Sequence, residues 1–181
     1  LRVIYNSWPE EIEKWTPGLT YTNLHADPAD INRMKLGWPV ATGLHLLNPD
    51  SLFKLVECAK YYDIVFVDES SQFKRWTSKG PRGRMRALRQ MLPLIPKRAI
   101  MTGTPTPESL GELFPQIFIL DGGEALGRNA TVFRARFMTQ GGWKGRQWIL
   151  RNGVEKDLLD LVAPLVIRVD AESNLDMPKL I

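Results

Sequence analysis

The sequence predicts an α/β fold, a parallel sheet with helices on both faces, from three observations. Short apolar runs rich in β-branched residues recur along the chain, the clearest being Ile64-Val65-Phe66-Val67 and Ala99-Ile100-Met101. Each ends abruptly in polar residues, as a buried parallel strand does where it leaves the carboxyl edge of a sheet. Helical patterns separate the runs and no internal repeat is present, the arrangement expected of βαβ units.

Taken in order, Val3-Ile4-Tyr5 reads as a strand and Ser7-Trp8-Pro9-Glu10-Glu11 as a helix start, with Ser7 as cap and the acids facing the positive helix end. Trp8, Ile12 and Trp15 would form one apolar stripe, ended by Pro17-Gly18. Residues Leu19 to Leu24 alternate weakly and read as a strand, followed by a helix from Pro28 through Met34 and a strand within Val40 to Leu47. Asn48-Pro49-Asp50-Ser51 opens a helix that buries Leu52, Leu55, Val56 and Ala59. Cys58 lies by that apolar face and is most simply a core residue.

Arg84 to Leu94 is helical in pattern, with Met85, Leu88, Met91 and Leu92 apolar. Glu108 to Leu120 is a helix with an expected kink at Pro115, and Asp121-Gly122-Gly123 breaks it. Phe133 to Met138 is ambiguous, and 140–145 is a Gly-rich loop holding Trp143. Glu155 to Val162 reads as a helix and Leu165 to Val169 as a last strand. One domain over residues 1–181 is the most economical division, since 181 residues of 44% apolar content bury a full core.

The formal charge is +4. Its distribution matters more than its size. Between Ser70 and Arg98 stand nine basic residues and no acidic one, a block that favours a polyanion such as nucleic acid. A solvated basic face would look the same. The lone Cys58 excludes an internal disulfide and fits a reducing compartment, and neither an apolar run of about 18 residues nor a signal-peptide pattern argues for a membrane. A cytoplasmic or nucleoid-associated protein of a bacterial or phage-infected cell is the expectation. Because the chain opens on a strand-like segment without Met, an excerpt from a larger protein is also expected.

Asp68 and Glu69 are the candidate chemistry. Two adjacent carboxylates at the carboxyl edge of a strand suit a nucleotide hydrolase, one holding a Mg²⁺ shell and the other orienting water. A solvated strand end or a capping pair would present the same residues. Asp63 belongs at the far end of the same strand, about 15 Å away at ~3.3 Å per residue, so a nuclease sharing one metal among Asp63, Asp68 and Glu69 is disfavoured. His25 and His45 have no partners at metal spacing, and no zinc site is expected.

Several stretches, in order, resemble the first RecA-like lobe of superfamily-two helicases of the Swi/Snf-related DNA translocase group. These are Trp8-Pro9-Glu10-Glu11-Ile12-Glu13-Lys14-Trp15, Asn48-Pro49-Asp50-Ser51-Leu52, Asp68-Glu69-Ser70-Ser71-Gln72-Phe73-Lys74, and Thr102-Gly103-Thr104-Pro105 with Glu112-Leu113 downstream. Pro164-Leu165-Val166-Ile167-Arg168 and Leu175-Asp176-Met177-Pro178-Lys179 are similar to the family's exit from that lobe.

The resemblance implies a P-loop NTPase-type sheet, ATP and Mg²⁺ as cofactors, and duplex DNA as partner. Asp68 would hold Mg²⁺ through water and Glu69 would align the attacking water. Thr102 and Thr104 would relay the nucleotide state to a DNA-gripping surface. The basic block itself could grip phosphates through Lys74, Lys79, Arg82 and Arg84, and by resemblance Ser7, Trp8 and Asn48 at helix starts would join them.

Two departures bound the expectation. The sequence holds no G-x-x-x-x-G-K-[ST] loop, and Ser71 stands where the family has His. Such a phosphate cradle is expected upstream of Leu1, and a second RecA-like lobe of the same polypeptide downstream of Ile181. The 181 residues alone are then expected to be inactive, and a non-catalytic nucleic-acid-binding scaffold of the same fold is the alternative.

Overall fold

A computed structural model describes residues 7–24, 29–37, 43–76, 83–106, 108–141 and 147–169. The strand read at Val3-Ile4-Tyr5, residues 142–146 with Trp143, and everything after Val169 lie outside them, while Gln140 and Gly141, read as loop, end a strand. Helix α1 (Trp8–Trp15) leads to β1 (Tyr21–Asn23), α2 (Ala29–Lys35) and β2 (Leu44–Leu46), and β1 pairs with β2 in parallel. Strand β3 (Ile64–Val67) pairs in parallel with β4 (Lys97–Ile100), the two being joined through α3 (Arg84–Met91). After β4 come α4 (Leu113–Asp121), α5 (Ala130–Phe137), an antiparallel hairpin of β5 (Met138–Gly141) and β6 (Gln147–Leu150), and α6 (Glu155–Val162).

Alternation of strand and helix is thus present in the first two thirds. The described residues form two separate two-stranded parallel sheets and one hairpin, not the single covered sheet the pattern predicted. Strand β3 is also less buried than its composition suggests: Val67 is enclosed, while Phe66 is 56% exposed and Ile64 40%. An apolar run reports strand propensity; only packing decides how many faces are covered.

Several local expectations are corrected by geometry. Ser7 has right-handed helical angles and makes no side-chain cap. In α1 only Ile12 is buried; Trp15 is 69% exposed and its indole N–H donates to Glu11 at 2.6 Å instead of joining a stripe. The segment after Asn48 winds as two 3₁₀ turns, Pro49–Lys54 and Val56–Tyr61, in place of an α-helix. Their three-residue repeat still brings Leu52, Leu55 and Cys58 to one side, where Leu55, Cys58 and Ala59 are buried with Leu24, Ile31, Met34, Met91 and Ile95.

Pro115 occupies the third position of α4, inside the first turn, where its missing N–H has no partner to lose. Gly122 closes that helix in the left-handed region at φ 70°, and the Asp121 carboxylate accepts from the amides of Gly123 and Ala125, both at 2.7 Å. Residues 166–169 form no strand; the chain leaves α6 through a 3₁₀ turn at Ala163–Leu165.

Two further cores complete the packing. Val67, Phe73, Met85, Leu88, Leu92 and Ile119 pack β3 between α3 and α4. Leu113, Phe114, Ile117, Leu126, Phe133, Phe137, Leu158 and Val162 tie α4, α5 and α6 together. Within the latter, Phe114 and Phe133 stack at 4.6 Å and 14°, and Phe133 reaches Phe137 at 5.3 Å. The fold therefore presents the end of β3 and the end of β4 side by side on a packed base.

Candidate functional site

Register puts the two polar edges next to one another. Val67 pairs with Ile100, the Met101 amide donates to the Val67 carbonyl at 2.9 Å, and the Ser70 amide donates to the Met101 carbonyl at 2.9 Å. Parallel pairing thus continues beyond the last ladder residue. It holds the turn at Asp68-Glu69 against the start of Thr102-Gly103-Thr104-Pro105.

Asp68 and Glu69 are both exposed. The Asp68 Oδ1 accepts from the Glu69 amide at 2.9 Å, and its Oδ2 accepts from the Trp8 indole at 3.3 Å. Trp8, half-buried at the start of α1, orients this carboxylate from across the chain. Glu69 itself stands at φ 50°, ψ 56°, the one non-glycine residue with positive φ among those described. Left-handed backbone at a residue with a Cβ costs roughly 1–2 kcal/mol, and such strain gathers where a side chain must be aimed. Glu69→Gly is accordingly expected to exceed Glu69→Ala in stability by about 1 kcal/mol, checked by paired urea unfolding curves.

Thr102 is half-buried and Thr104 exposed; the Thr104 amide donates to the Thr102 Oγ1 at 3.2 Å, a tight local turn. Ser71, which stands where the family has His, is half-buried, and the buried hydroxyl beside the carboxylates belongs to its neighbour. Ser70 is fully buried, and its hydroxyl donates to Gln116 Oε1 at 2.7 Å. Gln116 was not singled out from the sequence. The one signal for it is a polar residue on the inward side of an otherwise apolar helix.

Two residues of the basic stretch, Lys74 and Arg84, are paired in space with acids remote in sequence. Lys74 Nζ lies 2.8 Å from Glu108 and 3.0 Å from Glu112, and these partners, Glu108 first, hold its pKa above the ordinary lysine value while Lys74 holds Glu108 below the usual carboxylate range. Arg84 pairs with Asp50 at 2.6 Å and donates to Gln72 at 2.9 Å, and its guanidinium depresses the Asp50 pKa. Arg89 lies 4.1 Å over the Trp76 ring, and Arg98 donates to the Leu92 carbonyl at 2.7 Å. Asn48, half-buried, is occupied as a cap by the Asp50 amide at 2.9 Å. Lys79 and Arg82 lie outside the described residues.

As a metal site the turn is sparse. Among the described residues no group of three His, Cys, Asp or Glu gathers to hold an ion. Asp68 and Glu69 do fit Mg²⁺, which is typically held by one or two carboxylates together with water and phosphate oxygens.

Comparison with known proteins agrees with this geometry. No protein-family model matches the chain. The structure superposes on the Sulfolobus solfataricus SWI2/SNF2 ATPase core in complex with dsDNA with a TM-score of 0.69 at 19% identity, over 94% of this chain and 32% of that one. Human "DNA annealing helicase and endonuclease ZRANB3" is 35% identical over 117 residues, 61% of this chain. The chain resembles the Swi/Snf-related superfamily-two helicases. Putative protein p41 of Acyrthosiphon pisum secondary endosymbiont phage 1 is 29% identical over 156 residues, 82% of the chain.

The chain spans a third of the phage protein's length (33%) and a tenth of ZRANB3 (10%). Its fold is accordingly RecA-like in kind, with the small sheets described above. No helix among the described residues is long and apolar enough to cross a membrane.

Proposed function

We propose that the chain is the ATP-hydrolysing lobe of a DNA-dependent translocase that moves on duplex DNA, with the reaction completed in a cleft between this lobe and a second RecA-like lobe. The observation that carries the proposal is the Ser70–Met101 backbone bond, which seats two exposed carboxylates beside the threonine turn at one sheet edge. When bound, Mg²⁺ would neutralise charge on the phosphate oxygens of ATP.

The chain's own contribution is positional. Asp68, oriented by Trp8 and by the Glu69 amide, would hold the metal's water shell. Glu69, aimed by its left-handed backbone, would align the attacking water. Thr102 and Thr104 stand where a change at that turn is felt first. The SWI2/SNF2 core's complex with dsDNA supports duplex as the partner, with Lys74, Lys79, Arg82, Arg84, Ser7, Trp8 and Asn48 as the proposed contacts.

The test is ATP turnover by a polypeptide joining this chain to a phosphate-binding loop and a second lobe, with and without duplex DNA, beside the 181 residues alone. Turnover stimulated by duplex in the former and none in the latter is the expected result. Salt-sensitive DNA binding without turnover would instead establish the non-catalytic scaffold.

A further inference from the structure

We propose that Gln116 is a positioning residue that couples the Asp68-Glu69 turn to the Thr102–Pro105 loop. This inference rests on the functional reading above and names how one half of that site senses the other. Gln116 lies on α4, 46 residues from Ser70 and 11 from Pro105, and is 1% exposed. Its Oε1 accepts from the Ser70 hydroxyl at 2.7 Å, and its Nε2 donates to the carbonyls of Pro105 at 2.6 Å and Glu112 at 3.0 Å.

The chemistry of the partners fixes the amide's orientation. Two carbonyls accept only, so they take the NH₂ end; the oxygen is left for the one partner able to donate, the Ser70 hydroxyl. Every polar atom of the side chain is engaged, and no buried side-chain polar atom of the described residues lacks a partner. Ser70 directly follows Glu69, and Pro105 closes the threonine turn. A shift of the carboxylate turn that pulls the Ser70 hydroxyl must therefore either strand a buried amide or carry Pro105 with it. A buried group left without its partner loses solvation that nothing replaces, so the joint movement is the more favourable course.

The backbone bond from Ser70 to Met101 links the turn to the strand end, before the threonines. Gln116 links it to the loop's far side. Together they grip 102–105 at both ends, which a single backbone bond does not.

Ser70→Ala and Gln116→Met separate this role from packing. Methionine keeps the volume and apolar stem of Gln116 and removes both polar ends. Alanine removes one hydroxyl, whose hydrogen bond goes to Gln116. In the 181-residue chain, backbone amide NMR is expected to show the Gly103 and Thr104 resonances displaced in the same direction by both variants, with Thr104 amide exchange about tenfold faster. The double variant is expected to do no more than either single one.

Perturbation by Ser70→Ala confined to residues 69–72, or additive effects in the double variant, would overturn the proposal. In the two-lobe polypeptide the ratio of duplex-stimulated to DNA-free turnover is expected to fall at least about threefold in both variants, a readout that lost packing alone does not move. An unchanged ratio alongside the NMR response would overturn the coupling role. A parent polypeptide without stimulated turnover would refute the translocase reading, and the NMR response would still decide the link itself.

Discussion

Glu69→Gln is expected to abolish ATP turnover in a two-lobe polypeptide carrying this chain, lowering kcat by about 100-fold or more while ATP binding persists. The substitution preserves shape and removes the charge that, on the proposed reading, would align the attacking water. Since the Glu69 side chain is exposed and its backbone carbonyl, not its carboxylate, accepts from the Gln72 amide at 2.9 Å, the turn itself should survive. Steady-state turnover and fluorescent-nucleotide binding, measured on the same preparation, check both halves. Loss of binding together with turnover would mean that Glu69 holds the nucleotide, not the water.

Phe133→Ala is expected to destabilise the chain by about 3–5 kcal/mol, enough to unfold a substantial share of a marginal domain. Phe133 is 2% exposed, stacked on Phe114 and in contact with Phe137, so truncation opens a cavity among residues of α4 and α5 that cannot collapse around it. Chemical denaturation reads the loss directly. Phe133→Leu should recover much of it, because volume and not aromaticity supplies most of the burial. The prediction matters for the site because Gln116 rides on α4, the helix this cluster anchors.

The helix over Glu155–Val162, the buried face of α3 and the strands β3 and β4 were legible in the sequence because each is governed by local pattern. What the sequence could not reveal was set by partners distant along the chain. The hairpin of β5 and β6 depends on pairing across a Gly-rich loop, and Arg151 secures it by donating to the carbonyls of Ala135 at 2.6 Å and Met138 at 3.0 Å. The 3₁₀ turns after Asn48 share the apolar spacing of an α-helix closely enough to be mistaken for one.

At the site, Asp68, Glu69, Thr102 and Thr104 were found by residue type and by likeness to a family, and the structure puts their two stretches together. Gln116 was missed because its meaning lies in three partners from separate segments. Lys74 and Arg84 were read as part of an uncompensated block; their acids, Glu108, Glu112 and Asp50, lie beyond the window in which charge was counted.

Those ion pairs make the basic surface an exchange medium. A phosphate that takes the Lys74 ammonium does so in competition with Glu108 and Glu112, and its success sets two carboxylates loose at the entrance to α4. Whatever then rearranges in that entrance alters, by the reciprocity of linked equilibria, how tightly the phosphate is held. Grip on a polyanion and the posture of the segment after Pro105 are in this way two readings of one equilibrium.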